Sequence, residues 1–181
     1  MAVVKRSHTE RANTFPFHYA WMVAVVTFGV LLISAGVRTL GSVLINPLED
    51  EFGWSRASIS LAISLSLIWF GLGAPLSGML VDRFGPRRIM VGALSLIVFG
   101  LVGLLALDSL WQLHLFWGVI VGIGTGAVTN VLGATVAHRW FRANRGLILG
   151  LFSAASAAGQ LLFLPSMMAL TNTEGWRWAV G

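Results

Sequence analysis

Five near-continuous apolar runs, over residues 19–45, 57–81, 89–107, 111–137 and 146–170, constrain this chain more than anything else in it. Each is long enough to cross a bilayer as an α-helix, which takes about 20 residues. Strands of a membrane barrel alternate apolar and polar positions over about ten residues, and these runs do not alternate. In hydrocarbon every backbone polar group must bond internally, and a helix does so within its own segment. The fold class expected is therefore all-α and polytopic: five transmembrane helices plus the start of a sixth near residue 175, at "GWRWAVG". Composition agrees, because only 10% of the residues are charged and 56% are hydrophobic, where a soluble domain carries about 25% charge.

Orientation follows from the cations, since Lys and Arg accumulate in cytoplasmic loops. Lys5, Arg6 and Arg11 precede the first run, Arg83, Arg87 and Arg88 follow the second, and Arg139, Arg142 and Arg145 lie between the fourth and fifth; these are nine of the 12 basic residues. Glu49, Asp50, Glu51, Asp108 and Glu174 mark the opposite side, with Arg56 and Arg177. Residues 1–18 are thus expected as a cytoplasmic N-terminal segment and 19–181 as a helix bundle, in the plasma membrane, or the inner membrane of a bacterium. The first run is too long for a signal-peptide core and lacks a cleavage site, so it reads as a retained span. Trp21, Trp54, Trp111, Trp140, Trp176 and Trp178 fall at the ends of runs, where tryptophan meets the membrane interface.

Several functions are excluded on the same grounds. The net charge of +5 sits in short loops rather than on a soluble face, so no nucleic-acid partner is expected. There is no cysteine, and the four histidines are scattered without metal-ligand spacing, so neither a metal nor another cofactor is expected. Neither a Ser-His-Asp set nor a phosphate loop is visible, which argues against an enzyme. The nearest glycine pattern, at Gly122, Gly124 and Gly126, lacks the preceding strand and the later acidic residue of a dinucleotide site.

Small residues predict where helices meet, because close backbone approach replaces the hydrophobic drive that lipid does not supply. Gly118, Gly122 and Gly126 recur every four residues in the fourth run, and Gly146, Gly150, Ala154 and Ala158 in the fifth. Both faces are expected to form tight helix pairs. Ser60, Ser64, Gly71, Pro75 and Gly78 suggest a third packing face on the second run.

Between the second and third runs the sequence reads "GMLVDRFGPRR". Charge bias explains Arg87 and Arg88, but not Asp82 or the spacing of Gly78 and Gly85. With Leu80, Arg83 and Arg87, these residues make the pattern G-x-L-x-D-R-x-G-x-R, which closely resembles the loop signature of the major facilitator superfamily of secondary transporters. The loop after the first run, "NPLEDEFGWSRASIS", with Pro47, Phe52, Gly53, Trp54, Ser55 and Arg56, resembles monocarboxylate and oxalate-formate type members. The resemblance covers all five runs. It implies that Gly78, Asp82, Arg83, Gly85, Arg87 and Arg88 latch two halves of a transporter on the cytoplasmic side while the site faces outward. Drug-proton antiporters of the superfamily usually carry an Arg in the fourth span, and the matching position here is Gly118. That departure weakens a drug-export reading. Pro86 stands where the loop commonly has Arg.

A charge inside a span is costly and marks a functional candidate. Arg38 is such a charge, and Thr27, Ser34 and Arg38 fall at successive spacings of seven and four, which puts them on one helical face. Its guanidinium can grip a carboxylate with two parallel hydrogen bonds, or it can extend to the headgroups instead. Asn130 and Gln160 are further substrate candidates, since a buried amide needs partners; hydrogen bonding between helices accounts for them equally well. Thr125, Thr129, Ser153 and Ser156 carry less weight, because a hydroxyl can bond the preceding turn of its own helix. No Asp or Glu lies inside a run, so no internal proton-relay carboxylate is present.

Transporters of this kind have two six-helix halves with the site between them. The resemblance implies the N-terminal half of one, a fragment lacking its partner half. The expected partners are the lipid bilayer, the missing half and a small anionic substrate such as a monocarboxylate, moved by alternating access. Drug efflux within the same superfamily and a truncated, non-transporting membrane protein stand as alternatives.

Overall fold

The computed structural model describes residues 17–128, 130–141 and 144–180. Most of the expected cytoplasmic segment 1–18 lies outside the described residues. The rest is helix, with no strand among the described residues.

Helix α1 (Phe17–Val43) is followed by a short helix α2 (Ile45–Phe52) and the long α3 (Arg56–Phe84). Next come α4 (Pro86–Leu105), then α5 (Leu110–Leu113), which runs into a π-helical segment (His114–Val121) and α6 (Gly122–Ala127). Helix α7 (Asn130–Trp140), α8 (Arg145–Glu174) and α9 (Trp176–Val180) complete the chain. Five stretches are long and apolar enough to cross a membrane. Large apolar side chains such as Val25, Leu61, Val98, Leu147 and Leu161 stand exposed along them, as lipid-facing positions do.

Boundaries have local causes. Ser55 starts α3 as its N-cap, its Oγ accepting from the Ser58 N–H at 3.2 Å, a contact worth about 1 kcal/mol. Between α3 and α4 a single residue, Gly85, turns the chain at φ +82° and ψ 154°, a region open essentially to glycine alone. Pro86 then occupies the first turn of α4, where its missing N–H costs nothing. Helix α2 was legible only as a loop; it folds because Leu48 buries itself in the core while Asp50 and Glu51 face out.

The fourth run is not one regular helix. It widens into the π segment and leaves helical geometry at Val128. Within the π segment three consecutive residues serve three neighbours. Phe116 fills the space left by Gly103 of α4, Trp117 fits against Gly41 of α1, and Gly118 packs on Leu65 of α3.

Tight crossings form at Gly118, Gly122 and Gly126. A Cβ on Gly122 would lie 2.9 Å from Ser66 Cα, and one on Gly126 2.9 Å from the Trp69 carbonyl oxygen, both on α3. The face proposed on α8 is different. Nothing lies within 4 Å of a Cβ at Gly146 or Gly150, and Gly150 and Ala154 are exposed. The buried stripe of α8 is instead Ile148, Phe152, Ala155 and Gly159, which packs on α1. Four-residue spacing identified the small residues but not the face that the bulky Ile148 and Phe152 pull inward. On α3, similarly, Ser64, Gly71 and Pro75 are exposed, and the buried stripe runs through Ile59, Ala62, Ser77 and Val81.

The bundle has two distinct ends. Trp21 meets Phe141 edge to face with ring centroids 5.9 Å apart, so the start of α1, the end of α7 and the start of α8 lie together. At the other end Glu51 of α2 accepts from Trp176 Nε1 and, at 2.6 Å, from Arg177 of α9.

Candidate functional site

Arg38 lies in α1, five residues before its end, and its guanidinium reaches across to α3. It lies over the ring of Phe70, 3.9 Å from the ring centroid. Phe70 is the middle residue of α3, so the charge is turned toward the centre of the bundle. Desolvated cation–π contacts of this kind contribute about 2 kcal/mol. No ion pair or hydrogen bond joins Arg38 to another described residue, which leaves all five N–H donors available.

Two adjoining cavities share Arg38 and Gln160 in their walls. The first, about 120 Å³, also takes Thr39, Ser66, Trp117 and Thr125. The second, about 140 Å³, takes Ser34, Phe70 and Ser156. Helices α1, α3, α8 and the π segment with α6 therefore converge on one polar space, built from residues 34 to 160.

Most hydroxyls around it are already bonded to their own helix. Thr39 donates to the Gly36 carbonyl at 2.6 Å, Ser66 to Ile63 at 2.7 Å, Thr125 to Val121 at 2.8 Å and Ser156 to Phe152 at 3.4 Å. Three further polar groups have no protein partner among the described residues: Ser34 Oγ and Trp117 Nε1, both buried, and the exposed amide of Gln160. A buried donor left unbonded costs about 1 to 3 kcal/mol. The cavities therefore present the Arg38 guanidinium and the Gln160 amide with no carboxylate lining them, an arrangement suited to an anion.

Of the sequence candidates, Arg38, Ser34 and Gln160 come together here. Thr27 does not; it is fully buried and donates to the Val23 carbonyl at 2.7 Å. The side chain of Asn130 lies outside the described residues. Trp117 was passed over, because a tryptophan within an apolar run reads as packing; the polar residues facing it come from other helices and give no local signal.

The second candidate region is the α3–α4 turn. Asp82, Arg83, Arg87 and Arg88 are all exposed there and line an open cleft with Gly85, Pro86 and Trp140. Asp82 forms no ion pair with another described residue, and Arg83 stands 5.5 Å from the ring centroid of Phe84.

The family model of the Major Facilitator Superfamily matches residues 26–181. This chain belongs to that superfamily. Among its curated relatives, the oxalate:formate antiporter of Oxalobacter formigenes is 30% identical over 155 residues, covering 86% of this chain and 37% of the relative. Human monocarboxylate transporter 7 is 29% identical over 90% of this chain and 31% of its own length. The fujikurins efflux protein of Gibberella fujikuroi is 29% identical over 89% and 35%. The superfamily chain thus spans about a third of the length of these relatives. Membership makes it a multi-pass membrane protein of a transporter family.

Proposed function

We propose that this chain forms one half of a secondary transporter for a small organic anion, with a monocarboxylate the leading candidate, working by alternating access. The observation that carries the reading is Arg38, a cation without a counterion among the described residues, turned to mid-bundle over Phe70 and facing a cavity lined by Gln160 and Ser34. Two relatives named for monocarboxylate and for oxalate and formate support the substrate class. A second helical half closes the site, and the α3–α4 turn, with Gly78, Asp82, Arg83, Gly85, Arg87 and Arg88, meets that half as the latch. By the distribution of cations this turn and the N-terminus face the cytoplasm of a plasma membrane.

One relative is named for efflux of a fungal product, so export of larger molecules is the second reading. Against a drug-type site stands Gly118, a glycine at the position where drug-proton antiporters of the superfamily usually carry an Arg. The two readings separate in a competition measurement. Equilibrium binding of labelled acetate to the whole transporter in lipid nanodiscs is expected to be displaced by formate and lactate, not by lipophilic cations, and to be lost in Arg38→Gln. Displacement by lipophilic cations alone, or binding indifferent to Arg38, would sink the anion reading.

A further inference from the structure

We infer that this site holds two successive stations for the anion, stacked along the bundle axis, and that Arg38 and Gln160 form the waist which the anion passes in moving from one to the other. The inference rests on the anion-transport reading and adds a path to it.

The first observation is the order of the two cavities. Helix α1 runs from the end marked by Trp21 and Phe141 toward the end marked by Glu51 and Trp176, as does α8, while α3 and the stretch from α5 to α7 run back. The cavity of about 120 Å³ takes Thr39 of α1, Ser66 of α3 and Thr125 of α6. The cavity of about 140 Å³ takes Ser34, Phe70 and Val128 from the same three stretches. Going from Thr39 back to Ser34, from Ser66 on to Phe70 and from Thr125 on to Val128 moves in one direction each time, toward Trp21. Helix α8 agrees, because Ser156 lines the second cavity alone and lies nearer the start of the helix than Gln160. Each step is close to one helical turn, about 5.4 Å. The cavities are therefore stacked along the axis rather than set side by side.

The second observation is what the two share. Arg38 and Gln160 line both cavities, and both residues are exposed, so their polar ends are open to a ligand. Arg38 is the single charge among the described residues that line either cavity. One cation thus serves both stations, and two anions held there together would repel each other. A guanidinium has five N–H donors in a planar fork, enough for a carboxylate to exchange one pair of hydrogen bonds for another without leaving the charge. Each cavity is several times the space of about 10–15 Å³ that holds one water, which is room for a small carboxylate. The anion is held in one cavity at a time and crosses at Arg38.

The test uses the whole transporter with acetate as the probe, its binding measured in lipid nanodiscs and its uptake in proteoliposomes. Thr39→Leu narrows the first cavity and Ser156→Leu the second. Each hydroxyl bonds its own helix, so neither change breaks a bond between helices. Each single variant is expected to keep acetate affinity within about threefold, because the other station remains, and to lose uptake by about tenfold or more, because the path is cut. The double variant is expected to lose affinity by about tenfold or more, well beyond the sum of the two. In the unaltered transporter, magnetisation from the acetate methyl protons is expected to reach both the Thr39 methyl and the Phe70 ring, a readout that does not depend on the folding of a variant. Transfer to one of them alone, a single variant that leaves uptake unchanged, or losses of affinity that simply add in the double variant would overturn the two stations and leave the anion reading standing. If no acetate binds the unaltered transporter, or binding ignores Arg38→Gln, the anion reading fails and this inference falls with it.

Discussion

The Arg38 guanidinium and the Phe70 ring are stacked 3.9 Å apart at the middle of α3. The ring holds the charge inward without neutralising it, so the donors remain free for a ligand. Phe70→Leu keeps the apolar volume and removes the quadrupole. Acetate affinity is expected to fall about fivefold to thirtyfold, since the contact is worth about 1 to 2 kcal/mol, while the chain stays folded. Titration of acetate into the variant in nanodiscs checks it, and an unchanged affinity would show that the ring does not position the cation.

Helix crossings at glycine should be intolerant in a position-specific way. A Cβ on Gly73 would lie 2.7 Å from the backbone of Gly126, whereas one on Gly71, two residues away, meets nothing within 4 Å. Gly73→Ala must push α3 off α6 and is expected to destabilise by about 1 to 3 kcal/mol. Gly71→Ala is expected to be neutral or to stabilise by up to about 1 kcal/mol through helix propensity. Thermal unfolding of the two variants in the same detergent decides. Equal effects would mean that the crossing is not tight.

Glu51 ties α2 to α9, and its pKa is lowered first by the hydrogen bond from Trp176 and then by Arg177. A folded-state pKa below the unfolded value means that the ionised form supports the fold. That support is complete above the ordinary carboxylate pKa, about 4.3, and is lost as pH falls through the lower folded value. The side chain is 37% exposed, so solvent screens the pair and the effect is modest. The Trp176 indole resonance is expected to hold steady from neutral pH down to the unfolded pKa and to move below it; in Glu51→Gln it should be displaced and independent of acid. A midpoint above the ordinary carboxylate range would contradict the sign.

How much was readable in the chain depends on how local the cause is. Apolar runs and flanking cations locate the membrane helices because hydrophobicity acts residue by residue, and "GMLVDRFGPRR" betrays its turn through Gly85 and Pro86. The π segment, the end of α6 at Ala127 and the choice of buried stripe on α8, which packs on α1, leave no periodic trace. The site divides the same way. Arg38 announces itself as a charge in a span, and Gln160 as an amide in another. Trp117 becomes visible only once Gly41 and Arg38 stand on the face opposite it. The direction of Arg38, inward to Phe70 rather than outward to headgroups, could not be read from spacing, because both lie within reach of the same side chain.

The latch gives the last prediction, and two substitutions separate its shape from its charge. At Gly85 the backbone holds φ +82° with open space around the missing Cβ, so Gly85→Ala is opposed by backbone strain alone, about 1 to 3 kcal/mol, and should lower thermal stability. Asp82→Asn changes one exposed carboxylate that has no ion-pair partner among the described residues, so the stability of this chain should not change. If Asp82 meets the second half in one state of the cycle, its effect appears only in turnover. In cells taking up acetate through the whole transporter, Asp82→Asn is expected to reduce uptake at least tenfold with membrane abundance and acetate affinity unchanged, whereas Gly85→Ala should reduce abundance and uptake together. Unchanged uptake by a well-expressed Asp82→Asn protein would remove the latch role and leave the turn a structural element only.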